Sequence, residues 1–202
     1  MKSMRRRTIL CGLLAVVPGC ATLGALESAS RPMPTFELTP VPGGGGRQRP
    51  LTLVVARPDA PAAVDTDRIL VKPDPLAVAY LPNARWSDDA PMMLQSIVVR
   101  SIAGTGRLAH VGPAQGGPVA DAVLLLRIDS FQAEPTAEAV SVPIRVALAA
   151  TLIRDRDQQL VARDFSGSAT AASESAGDVV SAFQAALDPI LPSLADWAVN
   201  AV

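Results

Sequence analysis

Side chains able to do chemistry are sparse in this sequence. There is one histidine, His110, and it stands in a short apolar-flanked stretch with no cysteine nearby and no metal-ligand spacing, so it reads as a structural or surface residue. Asp65, Asp67, Asp88 and Asp89 could pair as acid and base or hold a cation, but neither pair falls in an EF-hand pattern, and loop and helix-cap roles account for them. Ser166, Ser168, Ser173 and Ser175 lie among small residues without the Gly-x-Ser-x-Gly elbow of an α/β-hydrolase, and read as turn and cap residues. Gly43 to Gly46 raise the question of a phosphate cradle, yet no Lys-Ser/Thr follows and no helix begins there, so a plain loop is expected. The reading is of a protein that acts without catalytic residues, metal or cofactor.

The cysteines carry a different chemistry. Lys2, Arg5, Arg6 and Arg7 precede an uncharged run from Thr8 to Val17, the length of a signal-peptide h-region and far short of the roughly 20 apolar residues of a membrane span. The run ends Val17-Pro18-Gly19-Cys20, which resembles the bacterial lipobox apart from Pro18. Residues 1–19 are therefore expected to be a lipoprotein signal peptide, and Cys20 the lipid-modified first residue of the mature chain. Cys11 leaves with the signal, so an unmodified Cys20 would be a lone thiol in an oxidising compartment, which acylation avoids. Residue 21 is Ala, not the Asp that holds lipoproteins at the inner membrane, which favours the periplasmic face of the outer membrane.

Removing residues 1–19 takes away four positive charges and no acidic ones, so a net charge of −1 becomes −5. With one lysine and scattered arginines left, the mature chain lacks the basic clusters that nucleic acid requires. Ala21 to Met33 is small, polar and proline-punctuated, so residues 20–33 read as a flexible tether, followed by one domain over residues 34–202.

Within that domain the elements must come from apolar spacing. Pro34–Pro40 reads as a short strand, Leu51–Ala56 as a central one, and Asp65–Val71 with Leu76–Tyr80 as a hairpin. Ser87, Asp88 or Asp89 caps a helix with Pro91 in its first turn, and Met92, Met93, Leu94, Ile97, Val98 and Ile102 form its stripe before Gly104 and Gly106 end it near Ala103. Arg107–Gly112 is a further strand, and Asp121–Asp129 a central strand covered on both faces at its apolar middle. Val140 to Leu152 alternates apolar and small or polar residues, and pairs across the Arg154–Gln159 turn with Leu160–Ala169. A last helix, Gly177–Ala201, carries Val180, Phe183, Leu187, Ile190, Leu191, Leu194 and Trp197 at helical spacing, with kinks at Pro189 and Pro192. The sum is an α+β fold: a mixed, mostly antiparallel sheet with two main helices packed on it as a two-layer sandwich.

Several separated segments resemble one family together. Phe36-Glu37-Leu38, Val64-Asp65-Thr66-Asp67-Arg68-Ile69, Ala84-Arg85-Trp86, Phe131 closing the central strand, and Val179-Val180-Ser181-Ala182-Phe183 leading to Trp197 follow the order of the ABC-type transport auxiliary lipoprotein family. The likeness spans roughly residues 34–200, with Phe36 where many relatives have tyrosine. The resemblance implies an envelope-anchored accessory subunit of a mammalian-cell-entry type lipid transporter, docked to the periplasmic substrate-binding component at the outer membrane. Its partners would be that protein, the membrane through the lipid anchor, and on a further reading phospholipid or other copies of the chain. Asp65, Arg68, Arg85 and Trp86 are the candidate partner-binding residues, although Arg68 and Trp86 serve equally as contacts that hold the fold. The alternative is a free-standing lipid- or lipopolysaccharide-binding envelope lipoprotein.

Overall fold

The computed structural model describes residues 33–115, 117–135 and 141–202. The expected signal peptide, Cys20, the expected tether through residue 32, Gly116 and Val140 lie outside the described residues.

Eight strands form one mixed sheet: β1 (Thr35–Phe36), β2 (Arg49–Val55), β3 (Arg68–Val71), β4 (Ala79–Trp86), β5 (Leu108–Pro113), β6 (Ala122–Ala133), β7 (Val142–Arg154) and β8 (Leu160–Ala171). Among the described residues three helices accompany the sheet: α1 (Ala90–Ala103), α2 (Ala176–Leu187) and α3 (Ile190–Ala201). The axis of the sheet is β6. Along one edge it pairs antiparallel with β7 from Ala122↔Arg154 to Ala133↔Ile144, and β7 in turn pairs antiparallel with β8 over its whole length. Its other edge is shared by two parallel neighbours, β2 at the start (Leu53↔Ala122) and β3 at the end (Val71↔Ala133). Beyond these lie β5, parallel to β2, and β4, antiparallel to β3, with β1 parallel to β4 at the margin. Most of the ladder is thus antiparallel, as the sequence predicts, while the parallel pairings join segments far apart in the chain that no local pattern reveals.

The period-2 run of β7 buries Val142, Ile144, Val146, Leu148, Ala150 and Leu152 in strict alternation. In β6, Leu124, Leu126 and Ile128 point the same way, and the expectation of burial on both faces fails. Leu125 is 40% exposed, and Arg127 and Asp129 form an ion pair on the open side. The apolar run misleads because the neighbouring strands decide the matter: Leu125 faces Thr151 and Arg127 faces Ala149, and β8 adds Ser166 and Ser168. That face carries small and polar groups and no helix.

The first helix begins and ends where expected, with Pro91 in its first turn and Gly104 at its C-cap, and Gly106 adopts φ +65° beyond it. Asp89 occupies the N-cap position without a side-chain cap bond, and Met92 is turned toward solvent. The terminal helix divides in two. Asp188 and Pro189 keep helical dihedrals, and the Asp188 N–H still donates to Gln184 O at 2.9 Å, but Pro189 has no N–H to continue the ladder and so interrupts the run, while Pro192, in the first turn of α3, replaces an N–H that would have no partner there anyway. Ser175 caps α2, its hydroxyl accepting from the Asp178 N–H at 3.2 Å. Phe183, Leu187, Leu191 and Leu194 are fully buried, so this joined helix is core.

Two other strands differ from expectation. The first is only two residues long, and the strand expected at Leu76–Tyr80 runs instead from Ala79 to Trp86, leaving Leu76 and Val78 in the hairpin turn. Asp74 accounts for the shift: its carbonyl accepts from the Ala77 N–H at 3.1 Å and its side chain from the Leu76 N–H at 2.8 Å, closing a turn over the first residues of the expected strand.

Candidate functional site

The segments that carry the family resemblance meet in space. Ala84 and Trp86 alternate inward along β4 while Arg85 points out, and Trp86 is 1% exposed. Its indole packs against Phe131 at the end of β6, ring centroids 5.6 Å apart, and edge-on against Phe183 of α2 at 5.3 Å. Phe131 and Phe183 are 4.7 Å apart, closing a three-ring cluster between sheet and helix. Trp86 therefore belongs to the core and offers no surface to a partner. Its indole N–H has no acceptor among the described residues.

Of the other three candidates, Arg68 and Arg85 lie on the outside of the same hairpin and Asp65 in the loop that leads into it. Arg68 and Arg85 are direct cross-strand partners, both exposed. Like charges in that arrangement repel, and each guanidinium is held by its own neighbour. Arg68 lies over the Tyr80 ring at 4.1 Å from its centroid, a cation–π contact. Arg85 approaches Asp67 at 3.7 Å and donates through Nε to Thr35 Oγ1 at 3.3 Å. Asp65 sits apart from this pair, in the loop before β3, where Arg57 donates a hydrogen bond to it. That bond is the main reason the Arg57 guanidinium is held above its ordinary pKa.

The loop is fixed from below. The Trp86 N–H donates to Asp67 O at 2.7 Å and the Ala90 N–H to Thr66 O at 3.0 Å, tying Asp65 to Asp67 to the strand end and to the first turn of α1. Between the two arginines lies a shallow cavity of about 230 Å³, lined by Met33, Asp67, Arg68, Leu81, Pro82, Asn83, Ala84 and Arg85. Asn83 takes φ +54° there, a conformation that asparagine tolerates better than most residues. Sequence reasoning missed Tyr80 and Asn83 as members of this surface. The only available signal was the Asp-Thr-Asp-Arg string, which does not show which carboxylate meets which guanidinium.

The remaining polar groups hold the structure together. His110 is exposed on β5. Gly44 donates its N–H to Asp196 of α3 at 2.8 Å, so the four-glycine segment straps the last helix. Buried Gln95 donates to Val55 O at 2.9 Å. Among the described residues no group of three His, Cys, Asp or Glu could hold a metal ion, and no helix is long and apolar enough to cross a membrane.

Comparison with known proteins agrees with the sequence resemblance. The model of the family described as ABC-type transport auxiliary lipoprotein component matches residues 36–195. A crystal structure of a Xanthomonas campestris protein of the family DUF330 superposes with a TM-score of 0.73 at 25% identity, covering 84% of this chain and 95% of that one. A second crystal structure, of an uncharacterised protein, gives a TM-score of 0.60 at 12% identity, covering 82% and 98%, and shows a shared fold. No curated protein sequence matches.

Proposed function

The chain belongs to the ABC-type transport auxiliary lipoprotein family, and from that premise we propose that it is the outer-membrane-anchored accessory lipoprotein of a mammalian-cell-entry type lipid transporter, docking to its periplasmic substrate-binding component. The match over residues 36–195 carries this reading. The acyl groups on Cys20 are the anchor, the residues before 34 the tether, and the Asp65, Arg68 and Arg85 side of the hairpin the docking face. Two arginines in cross-strand register suit a partner that brings carboxylates, since such a partner relieves their repulsion. The protein acts by binding and hydrolyses nothing.

A free-standing lipid carrier needs a cavity sized for its cargo. Wider hollows, of about 370, 520 and 700 Å³, are open and lined in large part by charged and polar side chains, and the apolar one between Val71, Tyr80, Leu81, Ala133, Val142 and Val179 has a volume of about 220 Å³. That is below the roughly 300–1,000 Å³ usual for small-molecule sites, which favours docking over carriage.

The anchor is tested directly. Palmitate fed to cells should label the wild-type protein and leave Cys20→Ser unlabelled and released from membranes, because the thiol at residue 20 is the acceptor. Label that persists in Cys20→Ser, or none in the wild type, rules the anchor out.

A further inference from the structure

The β3–β4 hairpin ends in a turn, Lys72 to Val78, whose apolar side chains are not used by the fold. Leu76 is 96% exposed and Val78 55%. Leu76 is held up by a local turn in which its N–H bonds the Asp74 side chain at 2.8 Å. Exposed single aliphatic residues are ordinary, but two stand together at this tip, and the hollow of about 370 Å³ beside it is lined by Lys72, Asp74, Gln132, Glu134 and Arg145, charged and polar groups that do not suit an aliphatic side chain, so a deformable apolar surface is the better match.

The course of the chain says which surface. Strand β1 runs parallel to β4, with Thr35 opposite Arg85 and Phe36 opposite Trp86. From Thr35 back to Met33 the chain runs along β4 toward its start, and Met33 lies beside Leu81 and Pro82, a few residues from the tip. Thirteen residues separate Cys20 from this point, Cys20 included. A flexible chain of that length has an end-to-end distance on the order of 20 Å. Met33 to the tip is about four strand residues, or roughly 13 Å. An anchor whose reach matches the span to a second contact gives that contact its highest effective concentration. The other strongly exposed aliphatics, Val119 at 93% and Leu160 at 64%, stand by the start of β6 and the β7–β8 turn, at the opposite end of the sheet.

We propose that the Lys72–Val78 tip is a lipid-contacting element, Leu76 and Val78 entering the surface of the membrane to which Cys20 holds the chain. The inference rests on the anchor described above. It also places the arginine pair relative to the membrane: Arg68 lies three residues from Val71, the partner of Ala79 at the tip, so along β3 the pair stands roughly 10 Å from the tip.

The test uses the full protein purified from membranes and reconstituted into phosphatidylethanolamine and phosphatidylglycerol vesicles, with and without brominated acyl chains. Leu76→Trp and Val119→Trp are compared with the wild type, whose Trp86 and Trp197 supply the background. Neither substitution touches the core. The added emission of Leu76→Trp should fall roughly twofold on brominated vesicles, as for a side chain at the headgroup and acyl boundary, and that of Val119→Trp should not change. Protein that floats with the vesicles but shows no quenching at residue 76, or quenching at 119 instead, overturns the tip contact and leaves the anchor standing. Protein that does not float overturns both.

Discussion

Phe183→Ala should lower the unfolding free energy by about 3–5 kcal/mol in denaturant titration, the range for removing a fully buried aromatic ring. Phe183 is the ring through which α2 meets both Trp86 of β4 and Phe131 of β6. Its loss removes the transfer energy of the ring and leaves a cavity that three elements cannot close together. Trp86→Ala should cost a similar amount, and the double variant less than the sum, because the two rings share contacts. A change below about 0.5 kcal/mol at both positions, the level of surface substitutions, would mean that the terminal helix is a peripheral element and not part of the core.

Gly167→Ala is expected to be nearly as damaging, although it adds one methyl group to a strand. A Cβ at residue 167 would stand 2.2 Å from the carbonyl oxygen of Ala186 in α2 and 3.2 Å from Ile190 Cδ1. The first of these is backbone, so no rotamer change relieves it and α2 must move away from β8. Overpacking of this kind costs about 1–3 kcal/mol and sometimes more, and the contact with the carbonyl places this case near the upper end. Ser168→Ala, one residue on and facing solvent, should stay within about 0.5 kcal/mol. Equal unfolding midpoints for the two variants would show that helix and strand do not approach this closely.

These two positions illustrate what the sequence could show. Phe183 stands out because its helical spacing with Val180, Leu187 and Leu191 is a local pattern, and the alternation from Val142 to Leu152 is equally local. Gly167 gives no such sign. It sits among serines and alanines, and its constraint comes from a helix about twenty residues later in the chain. The same holds for β6. Its run from Val123 to Leu126 is apolar throughout, and only the small residues that β7 and β8 place opposite reveal that one face is open. In the hairpin, Ala84-Arg85-Trp86 stood out as a unit, but strand alternation divides it: Trp86 goes to the core and Arg85 to the surface. The ion pairs that fix the surface could not be assigned either, since Asp65 and Asp67 are two residues apart and take different arginines, Arg57 and Arg85.

The central claim is that the protein docks to the periplasmic component of a mammalian-cell-entry transporter through the outer face of this hairpin. Co-purification from detergent-solubilised envelopes of the native organism, with the full-length protein as bait, measures it most directly. The wild type should retain that component, and Cys20→Ser should retain it as well. Arg68→Glu combined with Arg85→Glu, which replaces two exposed cations without disturbing the ring cluster beneath them, should lose it by at least about tenfold, given the 2–5 kcal/mol typical of breaking desolvated charge contacts. Recovery of a tightly bound lipid with no transporter protein, from wild type and charge-reversed variant alike, would contradict the account.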